Sequence, residues 1–275
     1  MPLSLKTVEP SRGLRWIADA LRLFAKRPVG LMAFFGLFLL WMLLAGIVPY
    51  IGMALQLASL PMLSLGFMIA SQSALLDGPV QARQYLDPLR TDLPRRTALI
   101  KLCVSFAFIC MVMLWLSDWL SGGGLGHFLE FTRQGEPKQA QMEALLADER
   151  VGNFFWYFSL MMSALSVPYW HATALVHWGG QTASHAVFSS TLALWRNKGA
   201  FAVYCVGWLG LSLMTSVLSS LVIAALGFPL GALPVLGLLL ACSALFYVSL
   251  LFVFNDSFGG TPVQTDDDPA TQPDL

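Results

Sequence analysis

Residues 29–48 read VGLMAFFGLFLLWMLLAGIV, an unbroken apolar run of 20 residues. A helix needs about 20 such residues to cross the hydrocarbon core of a bilayer. Because an unpaired backbone amide is costly in hydrocarbon, the run predicts a membrane-spanning α-helix. It begins only after a polar and basic stretch, so we expect it to remain in the chain as a first span rather than to be cleaved as a signal peptide.

Five further apolar runs have a similar length. With the first they give six candidate spans, namely Val29–Val48, Met53–Leu76, Ala98–Leu116, Phe154–Val176, Ala200–Leu226 and Leu230–Phe254. Hydrophobic residues make up 56% of the chain and charged residues only 12%, against about 25% charged in ordinary soluble domains. The sequence therefore predicts an all-α polytopic membrane protein of about six transmembrane helices, filling residues 29–256.

The positions of Lys and Arg predict the orientation of these spans. If the N-terminus is cytoplasmic, the cytoplasmic side receives thirteen of them, which are Lys6, Arg12, Arg15, Arg22, Lys26, Arg27, Arg83, Arg90, Arg95, Arg96, Lys101, Arg196 and Lys198. The opposite side receives Arg133, Lys138 and Arg150. Positive charge concentrates on the cytoplasmic side of membrane proteins. We therefore expect a bacterial inner-membrane protein with both termini in the cytoplasm.

The N-terminal segment, residues 1–28, contains an amphipathic helix. Apolar side chains recur at three and four spacing from Leu14 to Ala25, with charged residues on the opposite face, namely Arg15, Asp19, Arg22 and Lys26. Such a helix is expected to lie on the inner leaflet as a topological anchor, or as a helix that senses lipid or docks a partner. A second apolar stripe, Phe188, Leu192 and Trp195, precedes the fifth span. The similarity of residues 21–28 to residues 192–199 predicts a weak parallel internal repeat of surface helix and hairpin.

Two segments are predicted to lie outside the membrane. Residues 117–153 form the one sizeable outer loop, where 138–150 has the pattern of a short helix. Residues 257–275 are rich in Pro, Thr and Asp, and they predict a disordered acidic tail.

The sequence contains few candidates for catalytic or metal-binding residues. The chain has no phosphate-binding Gly-rich loop, no Gly-x-Ser-x-Gly elbow and no His-Glu-x-x-His pair. The four cysteines lie inside apolar runs without metal-ligand spacing. Net charge is zero, which gives no general attraction to nucleic acid. We expect no catalytic residues, no cofactor and no metal.

Polar residues inside the predicted spans are the remaining functional candidates. His171 follows Pro168 and Tyr169 in the fourth span, where the proline removes a backbone donor and should kink the helix. A kinked helix that carries Tyr and His could line a small cavity or a proton path. The alternative is a neutral histidine hydrogen-bonded to a neighbouring helix. Lys101, one turn into the third span, is expected to extend its ammonium group toward the headgroups.

Small residues share helix faces in two spans. Gly66, Ala70 and Ala74 lie on one face of the second span. One face of the fifth span carries Ser212, Ser216, Ser220 and Ala224. Such stripes allow helices to approach closely, within a chain or between chains.

The chain resembles a family of uncharacterised multi-pass inner-membrane proteins of proteobacteria. The resemblance rests on residues Trp16–Pro28, on the sequence Leu-Trp-Arg-Asn-Lys-Gly at 194–199 and on the acidic tail, and it covers most of the chain. More distantly, the chain is similar to the membrane region of some glycerophosphodiester phosphodiesterases, although it has no room for their catalytic domain. The resemblance implies location and architecture, without activity or site residues.

These observations favour a non-enzymatic membrane protein that acts through contacts with the lipid bilayer, a membrane-protein partner or further copies of itself. The alternative is a transporter of small molecules or lipids, with a site near the kinked fourth span.

Overall fold

The computed structural model describes residues 3–48, 51–133, 145 and 147–259, and every regular element among them is a helix. The α-helices are α1 (Arg12–Lys26), α2 (Pro28–Gly46), α3 (Gly52–Leu75), α4 (Leu93–Leu120), α5 (Gly124–Arg133), α6 (Glu149–Tyr169), α7 (Ala172–Gly179), α8 (Ala183–Arg196) and α9 (Lys198–Phe258). Two short 3-10 turns, Ala82–Tyr85 and Asp87–Arg90, lie between α3 and α4. The all-α prediction is confirmed for this part of the chain.

Four of these helices, α2, α3, α4 and α9, are long and apolar enough to cross a membrane, with mean hydropathies of 2.3, 1.7, 2.4 and 2.4. Helix α9 is broken at Gly227, whose φ of 71° and ψ of 163° are not helical. It therefore consists of two arms, 198–226 and 228–258, which contain the predicted fifth and sixth spans. Glycine adopts this positive φ without the steric cost that a side chain brings.

The predicted fourth span is divided in two. Helix α6 ends at Tyr169, and His171 stands before α7 with φ −110° and ψ −8°. The break follows Pro168, which lacks the N–H that would continue the helical ladder. Helix α6 is not among the four helices above, and the count of six spans remains a prediction.

The core consists of two apolar clusters that share α3 and α9. One surrounds Trp16, Phe34 and Phe67, and it joins α1, α2 and α3 to α9. The other surrounds Leu99 and Leu175, and it joins α4 and α7 to α3 and to the end of α9. Helices α3 and α9 are thus the central pair on which the rest of the chain packs.

Helix α1 packs against α9 along a face largely different from the one that the sequence assigns to the leaflet. Trp16 is 0% exposed, and its ring lies 5.6 Å from that of Phe201 and 5.7 Å from that of Tyr204 on α9. Asp19, expected on the polar face, is buried, and burial raises its pKa. The predicted apolar face is exposed at four of its residues, namely Leu14, Ala18, Leu21 and Ala25.

Charge also fixes α1 to the end of α9. Arg12 donates two hydrogen bonds to the Asp256 carboxylate, at 2.8 and 3.0 Å, and Trp16 Nε1 donates a third at 2.7 Å. The hydrogen bond to Asp256 raises the pKa of Arg12. A bidentate arginine–carboxylate pair defines orientation as well as proximity.

The two ends of the described chain meet. Ser4 N donates to Phe258 O at 3.1 Å, and Lys6 N donates to Ser257 O at 2.9 Å. Helix α9 ends at Phe258 and thus includes the first two residues of the predicted tail, 257 and 258. Residues 260–275 lie outside the described residues. Both ends therefore lie at the same end of the helix bundle.

Helix α8 also leaves its predicted apolar stripe exposed. Phe188 and Trp195 are 63% and 71% exposed, and the small residues Ala186 and Ala193 make the packed face instead. One non-helical residue follows each helix, Arg27 after α1 and Asn197 after α8. The repeat itself stays a prediction.

The outer loop is described only in part. Its first portion forms α5, which packs against α6. Residues 134–144 and 146 are outside the described residues, and they include most of the helix predicted over 138–150.

Candidate functional site

His171, the leading candidate from the sequence, is enclosed by protein. It is 1% exposed, and its ring lies about 6 Å from the rings of Phe201, Phe254 and Phe258. Its Nε2 has no hydrogen-bond partner within the described part of the chain. The surroundings are those of a neutral imidazole inside an aromatic cluster.

The neighbours of His171 are used for packing between helices. Tyr169 shares a hydrogen bond of 2.9 Å with Ser105 on α4, and Pro168 lies in the last turn of α6. Ser190 on α8 donates to Val167 O at 3.3 Å. These contacts connect α6 to α4 and α8 across the helix break.

Lys101 is not part of that cluster. It is exposed on α4 and lines a cavity of about 580 Å³ between the starts of α4 and α8. We call it the polar cavity because charged side chains are among its walls. Its walls include Asp92, Arg95 and the turn from Gly180 to Ala183. The structure thus separates Lys101 from the three other residues that the sequence grouped with it.

A second concavity is apolar, with a volume of about 510 Å³. We call it the apolar groove. It lies between α2, α3 and residues 82–90, hereafter the 82–90 segment, and its lining residues are Leu37, Phe38, Leu40, Trp41, Leu44, Ser59, Met62, Leu63, Ala82, Arg83, Tyr85, Leu86 and Leu89.

Tyr85 holds the 82–90 segment against α2 and α3. Its ring stacks on that of Phe34, with centroids 3.9 Å apart and planes within 4°. Its hydroxyl donates to Phe34 O at 2.9 Å. On the other side, a Cβ at Gly66 would lie 2.5 Å from Tyr85 Cδ1, so only glycine leaves room for this ring. The wall of the groove therefore depends on Tyr85 and Gly66 together.

Sequence reasoning missed the groove because the 82–90 segment reads as a basic cytoplasmic loop. The spacing of Gly66, Ala70 and Ala74 predicts a stripe for close approach between helices. Ala70 and Ala74 are buried, but Gly66 faces the Tyr85 ring rather than a helix backbone. The sequence signal for the groove is an aromatic residue in the loop that follows a helix with a glycine near its middle.

Metal-binding groups do not gather in the part of the chain that the structure describes. No three His, Cys, Asp or Glu side chains there are placed to hold an ion.

The chain is similar along nearly its whole length to a curated protein of Burkholderia thailandensis described as a probable inner membrane protein. The two are 28% identical over 262 residues, which covers 94% of each chain. No family model matches the chain, and no solved structure matches it.

Proposed function

We propose that this chain is a non-enzymatic inner-membrane protein that holds a phospholipid of the cytoplasmic leaflet in the apolar groove. The groove, with its apolar walls and Arg83 among them, is the observation that carries the proposal. The Burkholderia relative, named a probable inner membrane protein, supports the location. The missing catalytic motifs favour a role in binding.

The proposal includes six spans with both termini in the cytoplasm. The division of α9 at Gly227 supports a fifth and a sixth span. The contact between residues 4–6 and 257–258 supports termini on one side. The excess of Lys and Arg favours the cytoplasm as that side, which places the 82–90 segment in the inner leaflet.

The groove has the dimensions and chemistry of an acyl-chain site. Leu44 lies about 24 Å along α2 from Pro28 at the rise of an α-helix, so the groove extends beside α2 across the middle of the bilayer. Its walls are aliphatic and aromatic side chains, and 510 Å³ is within the range of small-molecule sites. Trp41, 44% exposed, adds an aromatic wall.

Arg83 supplies the charge that a phospholipid requires. It is exposed and belongs to the 3-10 turn that closes one side of the groove. Arginine binds phosphate through a fork of N–H donors. A phospholipid whose chain fills the groove would place its phosphate beside this guanidinium.

The transporter alternative would need a cavity beside His171. His171 is enclosed by aromatic rings, and neither of the two concavities includes it. For this reason the groove, rather than His171, is the basis of the proposal. A membrane-protein partner or a further copy of the chain remains compatible with the exposed stripe of α8.

The substitution Arg83→Gln should reduce the phospholipid retained by the protein about three- to tenfold, because it removes a charge-assisted contact to the phosphate. Native mass spectrometry of protein released from nanodiscs measures the retained lipid directly. Arg90→Gln is the matched control, since Arg90 is exposed on the same segment and does not line the groove. Equal lipid retention by both variants would argue against a phosphate at Arg83.

A further inference from the structure

The polar cavity lies where two helices begin. Asp92, Arg95 and Lys101 come from the first part of α4, and Gly180, Gln181 and Thr182 lead into α8. Its volume of about 580 Å³ is within the range of small-ligand sites. It is separate from the apolar groove, which α2, α3 and the 82–90 segment enclose.

The charged groups of the cavity give it a positive balance. Arg95 and Lys101 contribute two positive charges, and Asp92 contributes one carboxylate at 3.4 Å from Arg95 Nε. A Cβ at Gly180 would come within 3.7 Å of Arg95 Nη2, so the guanidinium lies over the turn before α8. One positive charge is therefore left without a counterion among the side chains that line the cavity.

The backbone adds donors on the same side. Neither Asp92 nor Thr182 caps its helix with a side-chain hydrogen bond. The first N–H groups of a helix favour anions when no side chain satisfies them. The Thr182 side chain, which also lines the cavity, carries a hydroxyl that can donate. The cavity thus joins two cationic side chains to backbone donors.

We propose that this cavity binds a phosphate group, carried either by a phospholipid headgroup or by a soluble phosphate ester. Lys101 lies three residues into the predicted third span, about 5 Å along the helix, a depth that its long side chain can bridge to the headgroup region. Basic pockets between helices on the cytoplasmic side suit anionic headgroups. Arg95 would hold the phosphate oxygens from the side of the α8 turn.

The test is binding to the full chain in nanodiscs of phosphatidylcholine, with two probes. Glycerol 3-phosphate tests the soluble source, and phosphatidylglycerol added to the nanodisc tests the lipid source. Saturable binding of either one supports the site, and its identity names the source. The double substitution of Arg95→Gln and Lys101→Gln should weaken that binding about tenfold or more.

Three further variants complete the test. Arg96→Gln removes a neighbouring positive charge that does not line the cavity, and it should leave the affinity within about twofold of the wild type. Lys101→Gln alone changes an exposed side chain, so it should fold normally and still lose affinity. Ser59→Phe, in the apolar groove, should leave this binding unchanged, which separates failure of the phosphate site from failure of the groove. The proposal would be overturned if neither probe binds saturably. It would also be overturned if the double substitution leaves the binding unchanged.

Discussion

The variant Gly13→Val should detach α1 from α9 and lower the free energy of unfolding by roughly 3 kcal/mol or more. A Cβ at Gly13 would collide with Ala200 O and approach Tyr204 N at 2.8 Å. Both are backbone atoms of α9, which cannot rotate away as a side chain can. The separation would also expose Trp16, which is buried by this contact.

Thermal unfolding in mild detergent measures the loss, and limited proteolysis at Arg22 or Lys26 reports whether α1 has separated. Gly36→Val is the matched control, because it places the same side chain in a helix where a Cβ has no atom within 4 Å. If both variants unfold at the wild-type temperature and resist protease equally, α1 does not pack as described.

The variant Gly66→Val should expel Tyr85 and open one wall of the apolar groove. The Tyr85 ring stacks on Phe34 and its hydroxyl bonds to Phe34 O, so moving the ring breaks both contacts. Overpacking of this kind lowers the free energy of unfolding by about 1–3 kcal/mol. Because the wall of the groove moves with the ring, the retained phospholipid should fall to the level of bulk annular lipid.

Unfolding in denaturing detergent measures the loss of stability, and native mass spectrometry of the same sample measures the retained phospholipid. Gly210→Val serves as the control, since a Cβ there has no atom within 4 Å. Stability and lipid retention that match those of Gly210→Val would show that Tyr85 does not form the wall.

The helices could be predicted from sequence because hydrocarbon restricts the choice of structure. An apolar run of about 20 residues has few alternatives to a helix, and α2, α3 and α4 follow the predicted runs closely. Proline and glycine change the helix at their own positions, so the breaks after Pro168 and at Gly227 could be located from the sequence.

What covers each helix could not be predicted in the same way. Helix α1 has the pattern of a leaflet helix, but the face that packs depends on contacts with residues about 190 positions away in sequence, such as that of Trp16 with Tyr204. The groove depends on Tyr85, an aromatic residue in a segment that the sequence reads as a basic cytoplasmic loop. His171 shows the reverse, because a polar residue in an apolar span can be part of a closed aromatic cluster.

The apolar groove is tested most directly by photo-crosslinking with a phospholipid that carries a photoactivatable group in its acyl chain, followed by mapping of the labelled peptides. We expect labels concentrated in residues 37–44 and 82–89, and lost in Ser59→Phe, whose added ring fills the groove. Ser163→Phe, on an exposed position of α6, should keep the wild-type pattern. Labels spread evenly over the exposed helix faces, and unchanged in Ser59→Phe, would contradict a lipid held in the groove.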